Sequence, residues 1–312
     1  MKKIRASLPW LILGVVFSLV QTRAVENGTN SSFNTTAPTG SNIPNWGTGW
    51  TQPQGQTGVT GWNYVGIVAG GGGSASGVYL GNGWVLTAGH VGAAPFTLGG
   101  GQYLVVSGSV HQGIPWQDDG TNYTADVTLF QIQPDGMTTF SLPNLPSLTI
   151  ATSSPVPYHS SVAIIGYGDG GSRTNETWGL NTVTTADELV EVESFGSADF
   201  VTAYGTTTEG LNSATNNYFL VVGDSGGGDF IYNSSHGSWQ LVGMNEAVGT
   251  AGDGNNDTNY SYFVDLSAYA SQINAIVSSQ GVPAMPAWGR VVVPLLILLV
   301  AAGYLAKRKP IS

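Results

Sequence analysis

The sequence predicts an all-β fold over residues 62–281, closed by one short C-terminal helix, and three observations carry that reading. First, short runs rich in Val, Ile, Leu, Tyr and Phe recur at Tyr64–Val68, Gly77–Leu80, Trp84–Thr87, Tyr103–Val106, Val127–Ile132, Ser161–Ile165, Phe200–Ala203, Phe219–Val222, Gly228–Tyr232 and Trp239–Met244. Second, clusters of Gly, Asn, Asp and Pro separate these runs, which is the pattern of a sandwich or barrel built from many short strands. Third, only one segment shows clear helical spacing, with Leu266, Tyr269, Ala270, Ile273 and Val277 along one face. No repeat of fixed period is visible.

The flanks read differently. Residues 1–24 have a basic start (Lys2, Lys3, Arg5), an apolar run from Leu8 to Val20, and a small residue, Ala24, at a plausible cleavage point. This predicts a secretory signal peptide, with an uncleaved N-terminal anchor as the alternative. Residues 25–61 are dominated by Asn, Thr, Ser, Gly and Pro without apolar periodicity, and so predict a flexible leader or propeptide. At the other end, residues 282–312 form a separate module: Val282-Pro-Ala-Met-Pro-Ala-Trp-Gly289, an apolar run over 291–306, then Lys307-Arg308-Lys309. As a helix the apolar run would be roughly 24 Å long, slightly short of a hydrocarbon core. The basic residues after it favour a cytoplasmic end. The module resembles the tripartite C-terminal sorting signals of bacterial surface proteins, of which the PEP-CTERM type is best known, in a Pro-Trp-Gly variant. That resemblance implies a sortase-like processing partner; a single-pass membrane anchor is the alternative.

Charge excludes one class of function. Of nine Lys and Arg, eight lie at the two ends, leaving Arg173 alone between residues 25 and 289, whereas all nineteen acidic residues fall in that interval. Such a domain has almost nothing to neutralise phosphates, so nucleic acid is not a partner. The absence of cysteine excludes a disulfide scaffold and a thiol nucleophile. Asp253-Gly-Asn-Asn-Asp257-Thr-Asn259 has loosely spaced oxygen ligands but lacks the terminal Glu of a helix-loop-helix calcium site, and reads as a polar surface loop.

Three local patterns carry chemistry. Gly223-Asp-Ser225-Gly-Gly-Gly228 follows an apolar run and offers a serine hydroxyl on a glycine-flanked turn, with nearby amides able to meet a developing oxyanion. Trp84-Val-Leu-Thr-Ala-Gly-His90 ends a strand just before an imidazole, and Ala125-Asp126-Val-Thr-Leu-Phe-Gln-Ile132 heads another with a carboxylate. Each is weak alone. His111, His159 and His236 read as loop residues without a strand-end setting.

Together, in the order His, Asp, Ser, the three patterns resemble the chymotrypsin/trypsin-like serine proteases over roughly Trp62 to Val277. Leu-Thr-Ala-Gly-His stands for that family's Thr-Ala-Ala-His, Ala-Asp-Val-Thr-Leu for its Asp-Ile-Ala-Leu, and Gly-Asp-Ser-Gly-Gly is intact. The resemblance implies two packed six-stranded antiparallel Greek-key barrels with the active site between them. It also implies an exported endopeptidase acting on polypeptides through an acyl-enzyme, without metal or organic cofactor. Ser225 would be the nucleophile, His90 the general base and acid, Asp126 its orienting carboxylate, and the amides of Gly223 and Ser225 the oxyanion hole. The lack of disulfides points to a bacterial style of relative.

Departures from the family pattern bear on activation and specificity. No Ile-Val-Gly-Gly start follows a basic residue, so Asp224, which in many members pairs with a newly exposed N-terminus, lacks an obvious partner. Phe219, six residues before Ser225, stands where trypsins carry an acid, which argues against Lys/Arg preference. Asn245-Glu246 replaces the usual Ser-Trp-Gly strand, which assigns Phe219 and Glu246 to the substrate pocket. A non-catalytic surface binding module and an esterase are the rival functions.

Overall fold

The computed structural model describes residues 25–27, 33–70, 73–136, 141–168, 175–204, 217–250 and 259–279. Residues 1–24, 253–257 and 282–312, which carry the signal, loop and sorting-segment expectations, lie outside these. The fifteen strands are β1 (Glu26–Asn27), β2 (Val65–Gly70), β3 (Gly73–Gly81), β4 (Trp84–Ala88), β5 (Phe96–Leu98), β6 (Gly101–Val105), β7 (His111–Asp118), β8 (Thr121–Pro134), β9 (Ser161–Gly166), β10 (Thr177–Val192), β11 (Phe195–Tyr204), β12 (Tyr218–Phe219), β13 (Gly228–Asn233), β14 (Ser238–Thr250) and β15 (Asn259–Asp265). A 3-10 turn (Leu266–Tyr269) leads into α1 (Ala270–Ser279). Asp265 caps that turn by accepting from the Ser267 amide at 2.9 Å, satisfying a donor that the first turn leaves without a partner. The chain divides into two units, 1–273 and 274–312; within the second, only the last turns of α1 are described.

The fold is chymotrypsin-like, and the pairing explains how. Strands β9, β10, β11, β15, β14 and β13 form a closed antiparallel barrel in that order. The other sheet runs β4-β3-β2-β5-β6-β8-β7, and an additional β4–β8 pairing closes it on itself, with β7 appended to β8. Both rings share one connectivity: three strands joined in sequence, then three more added so that the third is followed by the sixth. Closing a sheet this way removes the unpaired edges that an open sheet exposes.

Alternation along each strand fills the two interiors. In the second barrel Val162, Ile164, Val183, Phe200, Leu220, Val242 and Phe263 form one buried cluster, with Phe200 and Phe263 stacked at 5.0 Å. β4 is buried at every position, because its second face is covered by β14 just as β8 is covered by β11. These four strands form the seam between the barrels.

Two expectations about elements change. Phe219–Val222 is not a strand beyond Phe219: the Val221 amide donates to the Asp224 carboxylate at 2.9 Å and its carbonyl accepts from the Asp224 amide at 3.0 Å, which bends the chain into a turn. His111 sits on β7, its ring 5.9 Å from that of Trp84, and not in a loop.

The stretch read as a flexible leader is also packed where it is described, over 33–60. Trp46 is fully buried against Trp239 at 4.8 Å, and Trp50 stacks on Trp239 at 5.6 Å. The indole N–H groups of Trp178 and Trp239 donate to the carbonyls of Thr36 and Asn45 at 2.8 and 2.9 Å. Indole rings supply a large apolar contact and one directional donor each, which is enough to fix an irregular strap without strand or helix periodicity.

Candidate active site

The seam between the barrels collects the residues singled out by the sequence. His90 follows β4, and its backbone amide donates to Asp126 Oδ1 at 2.7 Å while its Nδ1 lies 2.6 Å from Asp126 Oδ2. Both bonds reach one carboxylate, so the imidazole is held in position as well as in orientation. The Gln112 side chain donates to the Gly89 carbonyl at 2.8 Å and supports the same turn. Asp126 is fully buried on β8. There the register slips: Gln112 faces Thr128 but Ile114 faces Ala125, so β8 carries an extra residue at 126–127. Such a bulge re-aims a side chain out of the regular alternation.

His90 keeps 19% of its side chain exposed, which leaves it open to a substrate. Burial disfavours its charged form, yet the hydrogen bond and charge of Asp126, with smaller help from Glu246 and Glu193, outweigh that and raise its pKa above the ordinary histidine value.

Ser225 lies on a turn clamped from both barrels. Gly223 and Gly226 have φ of +91° and +85°, a region open to glycine at little cost. A Cβ on Gly226 would run into the Ser76 carbonyl and the Thr87 hydroxyl, so the turn packs directly on β3 and the end of β4, two residues before His90. The Ser76 amide donates to the Ser225 carbonyl at 2.8 Å, and the Asn245 side chain bridges the Ile165 and Asp224 carbonyls at 3.1 Å each. The Ser225 hydroxyl donates to the Glu246 carbonyl at 3.4 Å. The amides of Gly223 and Ser225 belong to this same turn.

Asp224 is buried and takes three backbone donors: Gly168 at 2.6 Å on Oδ1, Val221 at 2.9 Å and Val25 at 3.1 Å on Oδ2. The third donor was not legible in the sequence, where no partner for Asp224 stood out. Val25 is itself fully buried.

The two proposed pocket residues part company. Phe219 is half-buried on β12 and stacks on Tyr204 at 3.7 Å. Glu246 does not line a pocket: it is 3% exposed and its Oε1 accepts from the Ser197 hydroxyl at 2.9 Å, behind Asp126. Ser197 in turn accepts the Asp126 amide at 2.9 Å. Ser76, Ser197 and Asn245 were missed because small polar residues inside strands carry no signal of what they touch.

The family model described as Trypsin matches residues 53–273, more than half of the chain. The chain belongs to the trypsin family. Membership makes it a hydrolase of the protease class, with polypeptide as its class of substrate. Among solved structures, it is similar to the active form of the Rv3671c protease from M. tuberculosis, at 17% identity and a TM-score of 0.44 over 72% of this chain and 85% of that one. It is also similar to a Glu endopeptidase in complex with MPD, at 16% identity and a TM-score of 0.43 over 74% and 97%. No curated protein matches the chain by sequence.

Proposed function

We propose that this trypsin-family member is an exported serine endopeptidase. Ser225 attacks the peptide carbonyl, His90 takes its proton and returns it to the leaving amine, and Asp126 holds the imidazole and offsets its charge. The amides of Gly223 and Ser225 receive the oxyanion; removing one such donor costs on the order of 3 kcal/mol of barrier lowering. The observation that carries the reading is the double hold of Asp126 on His90, 2.7 Å to the amide and 2.6 Å to Nδ1, beside a serine turn packed on the same strand end.

Export and maturation belong to the same proposal. Cleavage after Ala24 would turn the Val25 amide into an ammonium next to the Asp224 carboxylate, 3.1 Å away, replacing an amide–carboxylate hydrogen bond with a buried ion pair. On this reading residues 25–61 stay with the enzyme, the described part over 33–60 as a packed strap. Phe219, in place of an acid, favours apolar or small side chains over Lys and Arg before the scissile bond. The apolar run 291–306 and its basic tail hold the enzyme at the cell surface until they are processed. No helix among the described residues is long and apolar enough to cross a membrane.

The test is digestion of an unbiased peptide library by the secreted protein and by Ser225→Ala, with N-terminal sequencing of both. The proposal expects internal cleavage by the wild type alone, few cuts after Lys or Arg, and a mature start at Val25. Intact peptides with a folded, correctly processed wild type would favour the binding-module reading.

A further inference from the structure

Behind Asp126 lies a group of buried acids with no role in the reaction as described. Glu246 sits on β14 at a register slip, Asn245 facing Phe263 and Ala247 facing Tyr262, so it is the unpaired residue of a bulge. Its carbonyl accepts from the nucleophile hydroxyl, while its side chain turns inward to Ser197. Asp199, two residues along β11 from Ser197 and on the same face, is fully buried. Neither Asp199 oxygen nor Glu246 Oε2 has a conventional donor, yet the two carboxyls lie within hydrogen-bond reach of each other. Two carboxylates in a desolvated contact cannot both be ionised at neutral pH; the contact requires a proton between them.

Among the described residues, no other group compensates the pair. Asp126 on β8, Asp265 and Tyr262 on β15, and Tyr269 after it face the pair, and among the described residues there the group able to carry positive charge is His90. Arg173, the single Lys or Arg between 25 and 289, lies outside the described residues.

We propose that Glu246 and Asp199 share one proton and act as a positioning pair for the triad, the single remaining charge holding Ser197, and through it the Asp126 amide, beneath His90. This rests on the reading of His90, Asp126 and Ser225 as the triad. The chain of donors runs in one direction: Asp126 N–H to Ser197 Oγ, Ser197 O–H to Glu246 Oε1, and the shared proton between Glu246 Oε2 and Asp199. Burial is the main cause that holds Asp199 well above the usual carboxylate range, and it lifts Glu246 to about 7. Passing neutrality the pair therefore goes from two protons to the one it shares, and burial of Asp199 keeps that one in place above neutrality.

The test follows the His90 ring by NMR titration in the purified full chain, alongside the pH profile of peptide hydrolysis. Glu246→Gln is expected to lower the His90 pKa by about one unit, move the acid limb of kcat/KM by the same amount, and reduce kcat with KM within about twofold. In the wild type the His90 resonances are expected to show a second, smaller inflection near neutrality. Asp199→Asn is expected to abolish that inflection, because its amide donates permanently where the shared proton did. It is isosteric and decides the matter alone if Glu246→Gln does not fold. His90 titrations that coincide in wild type and folded variants would overturn the pair while leaving the triad standing. A wild type that hydrolyses no peptide would instead remove the triad reading, whatever the titrations show.

Discussion

Gly89 shows how closely the proposed triad is packed. A Cβ there would meet Asp126 Oδ1 at 2.7 Å and the Phe195 ring at 2.9 Å. Other members of the family carry alanine at this point of the Thr-Ala-Ala-His pattern; here the space is already taken by Phe195 and the acceptor of the His90 amide. Gly89→Ala is expected to lower kcat by at least about tenfold while leaving most of the fold intact, since sub-ångström displacement of a positioned carboxylate is costly to catalysis. Steady-state kinetics with a thermal melt would check it; unchanged kcat would mean that the Asp126 side chain tolerates displacement. At this scale the closeness of His90 and Asp126, and the turn that carries Ser225, were expected from sequence because each sits in a distinctive local string. Glu246 was assigned to the pocket but turns inward to Ser197, because its direction depends on a bulge that sequence does not reveal. Val25 could not be connected with Asp224, since the two are 199 residues apart and nothing local links them.

At the level of elements, the strap 33–60 contributes to stability through its tryptophans. Trp46 packs edge-on against Trp50, Phe230 and Trp239, at 5.1, 6.2 and 4.8 Å. Trp46→Ala is expected to cost about 3–5 kcal/mol, the usual range for emptying a buried large aromatic site. Chemical denaturation would measure it, and a loss under about 1 kcal/mol would mean that the strap is not part of the folding unit. Strand recognition divided along burial. Runs buried on both faces over most of their length, such as Val127–Phe130 and Val162–Ile165, stood out by their density of β-branched and aromatic side chains. β10 was missed over sixteen residues, because a polar, Thr-rich strand gains its place from its neighbours on both sides and not from its own hydrophobicity. The strap was misread for a related reason: aromatic anchors in irregular backbone leave no period to detect.

The whole molecule combines an acidic chain with a set of acids kept neutral by folding. Burial holds Asp199, Asp229 and Glu176 well above the ordinary range and raises Glu246 to about 7. A carboxyl that keeps its proton when folded and loses it when unfolded binds more protons in the native state, so stability falls as pH rises. The contribution is complete below the ordinary carboxyl pKa of about 4 and disappears as pH passes the raised value. For Glu246 that window runs from 4.5 to about 7. The formal net charge of -10 acts in the same direction. Calorimetry is expected to show the melting temperature falling between pH 5 and pH 8, with a shallower slope in Asp229→Asn; a rise over that interval would contradict the assignment of these acids as neutral. The two rings share one connectivity that no sequence repeat betrays, because pairing order is set by which faces are buried together and many side-chain sets satisfy it. The account as a whole depends on Ser225 being an activated nucleophile. Its most direct test is reaction of the purified protein with a fluorophosphonate probe, with the adduct located by mass spectrometry. The account predicts a single adduct on Ser225, absent from Ser225→Ala and from His90→Ala. A folded protein starting at Val25 that takes up no probe, or takes it up equally without His90, would contradict it.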